Sequence, residues 1–123
     1  MIRHVDHIVI TSTNRERTAV FYAMLGFEVR EAPGRWELFA GDFKINVHLF
    51  GHELEPKARM VQPGSVDVCF EIDGSIEVCR DALLAAGIAI ELGIVERHGV
   101  RGVMRSLYVR DPDGNLIELC SYE

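Results

Sequence analysis

Asp111-Pro112-Asp113-Gly114-Asn115-Leu116-Ile117-Glu118-Leu119-Cys120-Ser121-Tyr122 closes the chain as a turn followed by a strand. Strand alternation places Leu116, Glu118 and Cys120 on one face and Ile117, Leu119 and Ser121 on the other. A carboxylate flanked by apolar strand residues is costly to bury unless it is paired, protonated or bound to a metal. Glu118 therefore reads as a candidate metal ligand. The plainer alternative is an ion pair with Arg3, Arg105 or Arg110.

The pattern that leads to this strand occurs twice. In the first half, Val5 to Ile10 is a strand rich in β-branched residues. Thr13-Asn14-Arg15-Glu16 has the form of a capping box, and a helix follows to about Leu25 with Val20, Phe21, Met24 and Leu25 as its buried stripe. Gly26 caps it. Phe27 to Arg30, Trp36 to Ala40 and Phe43 to Phe50 are strands, separated by the Pro33-Gly34 and Gly41-Asp42 turns. Residues 51 to 64 carry charged, Pro and Gly residues with no period and read as a linker. In the second half, Ser65 to Ile72 is a strand, and Ser75 caps a helix to about Ala86 with Ile76, Cys79 and Leu83 inward. Gly87 ends that helix. A strand within Ala89 to Val95, a loop at His98 to Gly102, a strand from Arg105 to Arg110 and the final strand complete the order. Each half is β-α-β-β-β.

Spacing tests the repeat. His7 to Gly26 is 19 residues and Asp67 to Gly87 is 20; Gly41 to His48 and Asp111 to Glu118 are both 7. By this count His7 matches Asp67, and His48 matches Glu118. All four are metal-ligand types. Two imidazoles with two carboxylates suit a divalent ion such as Mn²⁺, Fe²⁺, Ni²⁺ or Zn²⁺. Taken singly each has a structural alternative: a core histidine at His7 or His48, a turn cap at Asp67, an ion pair at Glu118.

The bulk properties narrow the class. The chain has 123 residues, 26% of them charged, and a formal net charge of −6. That suits one domain of two small units and argues against a nucleic-acid surface, which needs a basic patch. No apolar run reaches the roughly 18 residues of a membrane span. The three cysteines, Cys69, Cys79 and Cys120, form no Cys-x-x-Cys pair, and no secretory signal precedes the first strand. A cytoplasmic protein with reduced thiols is expected.

Several segments carry a resemblance: Val5-Asp6-His7-Ile8-Val9-Ile10, Phe21-Tyr22-Ala23-Met24-Leu25-Gly26-Phe27-Glu28-Val29, Lys44-Ile45-Asn46-Val47-His48, and Tyr108-Val109-Arg110-Asp111-Pro112-Asp113-Gly114-Asn115-Leu116-Ile117-Glu118. Over essentially the whole chain they resemble the vicinal oxygen chelate superfamily, also called the glyoxalase/bleomycin resistance/dioxygenase superfamily. Asn46-Val47-His48, Glu55-Pro56-Lys57-Ala58 and Pro63-Gly64-Ser65 are similar to the subgroup of glyoxalase domain-containing protein 5 and its bacterial relatives.

The resemblance implies an α+β fold of two tandem βαβββ modules forming a half-open mixed-sheet barrel around a divalent metal. It implies a small substrate that chelates through neighbouring oxygens, and a homodimer. Glyoxalase I orders its ligands His, Glu, His, Glu; the matching positions here are His7, His48, Asp67 and Glu118, with the middle pair exchanged. That departure counts against glyoxalase I itself and leaves a glyoxalase-like lyase or isomerase. Within it Asp67 or Glu118 moves a proton, and Tyr108 and Arg110 orient the substrate. His7, His48 and Glu118 alone would make a two-His, one-carboxylate triad, so an extradiol-type dioxygenase is one alternative. A drug-binding resistance protein without catalysis is another.

Overall fold

A computed structural model describes all of residues 1–123. The chain divides into two compact units, one of Met1–Ser65 with Pro112–Gly114, the other of Val66–Asp111 with Asn115–Glu123. Each unit has one four-stranded mixed sheet and one helix, so the β-α-β-β-β order appears twice.

In the first unit β1 is His7–Ser12, α1 Arg15–Met24, β2 Glu28–Ala32, β3 Arg35–Ala40 and β4 Phe43–Leu49. The sheet order is β1-β4-β3-β2, with β1 parallel to β4 and the other pairs antiparallel. The helix packs on one sheet face because the alternating apolar residues Ile10, Leu38, Ile45 and Val47 all lie there and are buried. Tyr22, fully buried, stacks edge-on against Phe21 and Phe27 with centroids 5.1 and 5.6 Å away. Such pairs add roughly 0.5–1.5 kcal/mol each beyond their burial.

Two expectations for α1 are corrected. The buried stripe is Thr18, Ala19, Phe21 and Tyr22, whereas Val20 and Met24 are exposed. An apolar count misses Thr18 because its hydroxyl is satisfied inside, 2.8 Å from the Ser12 hydroxyl. The cap is Asn14, whose side chain accepts from the Arg17 backbone N–H. Thr13 donates instead, through its N–H and its hydroxyl, to the Asp113 carboxylate in the Asp-Pro-Asp-Gly turn.

In the second unit β5 is Asp67–Glu71, α2 Ile76–Ala85, β6 Leu92–Gly99, β7 Gly102–Arg110 and β8 Leu116–Ser121, in sheet order β5-β8-β7-β6. β5 runs parallel to β8, as β1 does to β4. Ser75 caps α2 as expected, accepting from the Val78 N–H. Ile76 and Leu83 are buried against a sheet face carrying Leu107, Val109, Ile117 and Leu119. β6 runs on through His98, and β7 begins three residues before the expected start. Asn115 locks the last turn: its backbone and side-chain N–H groups donate to the Asp111 carboxylate, and its side-chain oxygen accepts from the Val66 N–H. No helix is long and apolar enough to cross a membrane.

Candidate functional site

Both sheets turn an apolar face to their helix, so the polar side chains of the strands collect on the opposite face. In the first unit that face carries His7, Val9 and Thr11 from β1, Lys44, Asn46 and His48 from β4, and Arg35, Glu37 and Phe39 from β3. In the second it carries Asp67, Cys69 and Glu71 from β5, Leu116, Glu118 and Cys120 from β8, and Ser106, Tyr108 and Arg110 from β7. Every predicted site residue is therefore on the face its unit leaves free of helix. Within either unit, no three His, Cys, Asp or Glu side chains gather into a metal cage.

The ladders give a stricter match between the halves than counting does. His7 pairs with Lys44, and Asn46 lies two residues further along β4. Asp67 pairs with Leu116, and Glu118 lies two residues further along β8. His48 is four residues from the partner of His7, about 13 Å along the strand. By register, Glu118 answers to Asn46. The counting goes astray because the β3–β4 turn spans only Gly41 and Asp42, between the paired Ala40 and Phe43, while the β7–β8 connection runs from Asp111 to Asn115.

These two matched positions share another property. Asn46 Oδ1 and Glu118 Oε2 are both buried oxygens that accept no hydrogen bond. Buried acceptors are nearly always satisfied. Each of these two leaves a lone pair without a donor. The arginine alternative for Glu118 fails for two of its three candidates: Arg105 is paired with Glu77, and Arg110 with Glu91 at 2.9 Å. His7 is exposed, and its Nδ1 lies 2.6 Å from the Asp6 carboxylate. With the Nδ1 proton donated there, Nε2 keeps its lone pair for a metal, the usual arrangement of a carboxylate-oriented histidine ligand. The hydrogen bond to His7 holds the Asp6 carboxyl below its ordinary value. His48 is buried, and desolvation first, then the nearby Arg35 charge, pushes its pKa down.

Burial raises the Cys69 thiol, with contacts to Cys120 and Glu118 adding to the effect, and burial also raises Cys120. Both sulfurs are thiols at neutral pH, which argues against a thiolate nucleophile. Tyr108, paired across from Glu118, accepts a hydrogen bond from Arg97 Nε at 2.9 Å. Arg110 feels the charge of Asp67 while engaged with Glu91.

Sequence reasoning misses Asn46, Arg97, Arg35 and the buried, unpartnered hydroxyl of Ser106. Asn46 carries a signal, since alternation puts residue 46 on the face of residue 48. Arg97 carries none, because it lies past the expected end of its strand.

A family model described as Glyoxalase/Bleomycin resistance protein/Dioxygenase superfamily matches residues 4–119. The chain is 47% identical over 123 residues to the glyoxalase domain-containing protein RDO1 of Mycosarcoma maydis, covering 99% of this chain and 70% of that one. It is 44% identical to the virulence protein STM3117 of Salmonella typhimurium, over 99% of this chain and 86% of the relative. The crystal structure of STM3117 superposes with a TM-score of 0.97 at 42% identity, covering 100% of this chain and 99% of that one. A lactoylglutathione lyase structure from Agrobacterium tumefaciens, at 19% identity over 97% of this chain and 93% of its own, shares the fold with a TM-score of 0.75.

Proposed function

Because the chain belongs to the glyoxalase/bleomycin resistance protein/dioxygenase superfamily, we propose that it is a divalent-metal-dependent enzyme, glyoxalase-like in being a lyase or isomerase of a small substrate with neighbouring oxygens. The observation that carries this reading is the pair of unpartnered buried oxygens, Asn46 Oδ1 and Glu118 Oε2, at register-equivalent positions. The first unit offers His7 and Asn46 as donors and the second offers Asp67 and Glu118, one imidazole nitrogen and three oxygens in all. Strand register supports Asn46 rather than His48 for the β4 position. Exchanging an imidazole for an amide oxygen makes the set harder and favours Mn²⁺ or Fe²⁺ over Zn²⁺ or Ni²⁺.

When bound, such an ion supplies Lewis acidity to oxygens of the substrate. The protein's own groups do the rest. The Asp6 carboxylate fixes the His7 ring. Glu118 or Asp67 takes or returns the proton of the substrate carbon. A carboxylate does this best when its pKa approaches the working pH. Tyr108, held by Arg97, orients the substrate. Arg110, clamped on Glu91, contributes charge near Asp67. The two-His, one-carboxylate set of a dioxygenase is disfavoured by the separation of His7 and His48 in register. We further infer a homodimer.

Metal-binding thermal shift tests this. Mn²⁺ should raise the melting temperature of the metal-free chain, since binding to the native state stabilises it. Glu118→Gln, which keeps shape and removes charge, should lose that shift. A full shift in the variant removes Glu118 as a ligand.

A further inference from the structure

Arg35 opens β3 one step beyond the Trp36–Val47 pair, and so lies across from His48 on the face of the first sheet away from α1. Two other arginines of the chain have filled guanidinium forks. Arg110 grips Glu91 through Nε at 2.9 Å and Nη2 at 3.0 Å, and Arg101 grips Glu71 at 3.2 and 2.8 Å. Arg35 does not. Its Nε is buried and makes no hydrogen bond, and its Nη2 stands 3.9 Å from Glu37, outside hydrogen-bond range. Glu37 is shared: Lys44 hydrogen-bonds it, while Arg35 stands at ion-pair distance with no hydrogen bond to it.

An Nε–Nη2 edge is a two-pronged donor whose geometry matches two oxygens of one anion. A buried guanidinium N–H without a partner is costly, and an oxyanion laid along that edge would satisfy it. Beside it are the buried His48 and the buried Thr11, paired to each other in register, which can add neutral hydrogen bonds. We propose that Arg35, with His48 across from it, binds the oxyanion of the substrate, so that the substrate is a small carboxylic or phosphonic acid. This rests on the metal-enzyme reading only in taking the occupant to be the substrate. It also gives His48 a role that does not require it to reach the ion bound by His7.

The test is calorimetric titration of the full chain, metal-free and Mn²⁺-loaded, with glycolate, lactate and methylphosphonate as probes and neutral lactamide as control. The acids should bind and lactamide should bind at least about tenfold more weakly. Arg35→Gln should weaken the acids roughly 10- to 100-fold, the range of one charge-assisted pair, while leaving the affinity for Mn²⁺ unchanged. Arg35→Lys should recover part of the loss, since it restores the charge without the fork. The carboxylates and methylphosphonate separate the two acid types. Equal acid binding by wild type and Arg35→Gln, or no binding by any acid, overturns the proposal. If Mn²⁺ does not bind but the acids still require Arg35, the metal reading fails and the oxyanion site stands.

Discussion

Among single residues, the decisive one is the β4 side chain proposed to share the metal with Glu118. Register supports Asn46, so Asn46→Ala should lower Mn²⁺ affinity about tenfold or more, whereas His48→Ala should leave it within about twofold. Titration of metal-free protein with Mn²⁺ checks this, and the reverse order would restore His48 as the ligand. His7, Asp67 and Glu118 stand out in the sequence as candidates because each is a polar residue at a defined place in an apolar strand. Asn46 does not stand out there because asparagine is a common β-turn residue and an uncommon ligand, and only register gives it meaning. Arg35 is hidden for another reason. Its partner state depends on Lys44 occupying Glu37, a cross-strand event that no local pattern reports.

For the helices, strands and turns, most boundaries follow from turn chemistry and caps, and the misses have local causes. The Thr13-x-x-Glu16 pattern suggests a capping box, but Asn14 is the better-placed acceptor and Thr13 is drawn to Asp113. Asn14→Ala and Ser75→Ala should each lower stability by about 1 kcal/mol, measured by urea unfolding. Thr13→Ala should act through the loss of its bonds to Asp113 instead. Gly64 is more demanding. Its φ is +79°, and a Cβ there would lie 2.5 Å from the backbone oxygen of Asp113. Backbone cannot yield as a flexible side chain does, so Gly64→Ala should cost about 1–3 kcal/mol in the same assay. A cost under a few tenths would show that this contact gives way. β6 and β7 extend further toward each other than expected because their hairpin turn needs only Val100 and Arg101, which leaves His98 and Gly99 to pair with Val103 and Gly102.

For the molecule as a whole, the two β-α-β-β-β units are readable from element order, although their sequences share little. The residue-by-residue correspondence between them is not, since it depends on hairpin connections of unequal length. Charge is arranged as ion pairs with at least partial exposure to solvent. Hydrogen bonds from Lys44, Arg101, Arg105 and Arg110 hold the carboxyls of Glu37, Glu71, Glu77 and Glu91 below the ordinary value of 4.5. A depressed folded-state pKa means that the unfolded chain takes up protons first as pH falls. Their stabilisation is therefore complete above the unfolded value and is lost as pH drops through the folded one. The melting temperature of the metal-free protein should change little through these groups between about pH 7 and 5.5 and fall below about pH 4.5. Because solvent reaches the pairs, added salt should shrink that acid step. Whether Glu118 holds a divalent ion is measured most directly by the metal content of the full chain after equilibration with Mn²⁺ and removal of free ion, taken side by side with Glu118→Gln. Retained metal in the wild type and little in the variant is the expected result; equal retention by both, or none by either, would contradict it.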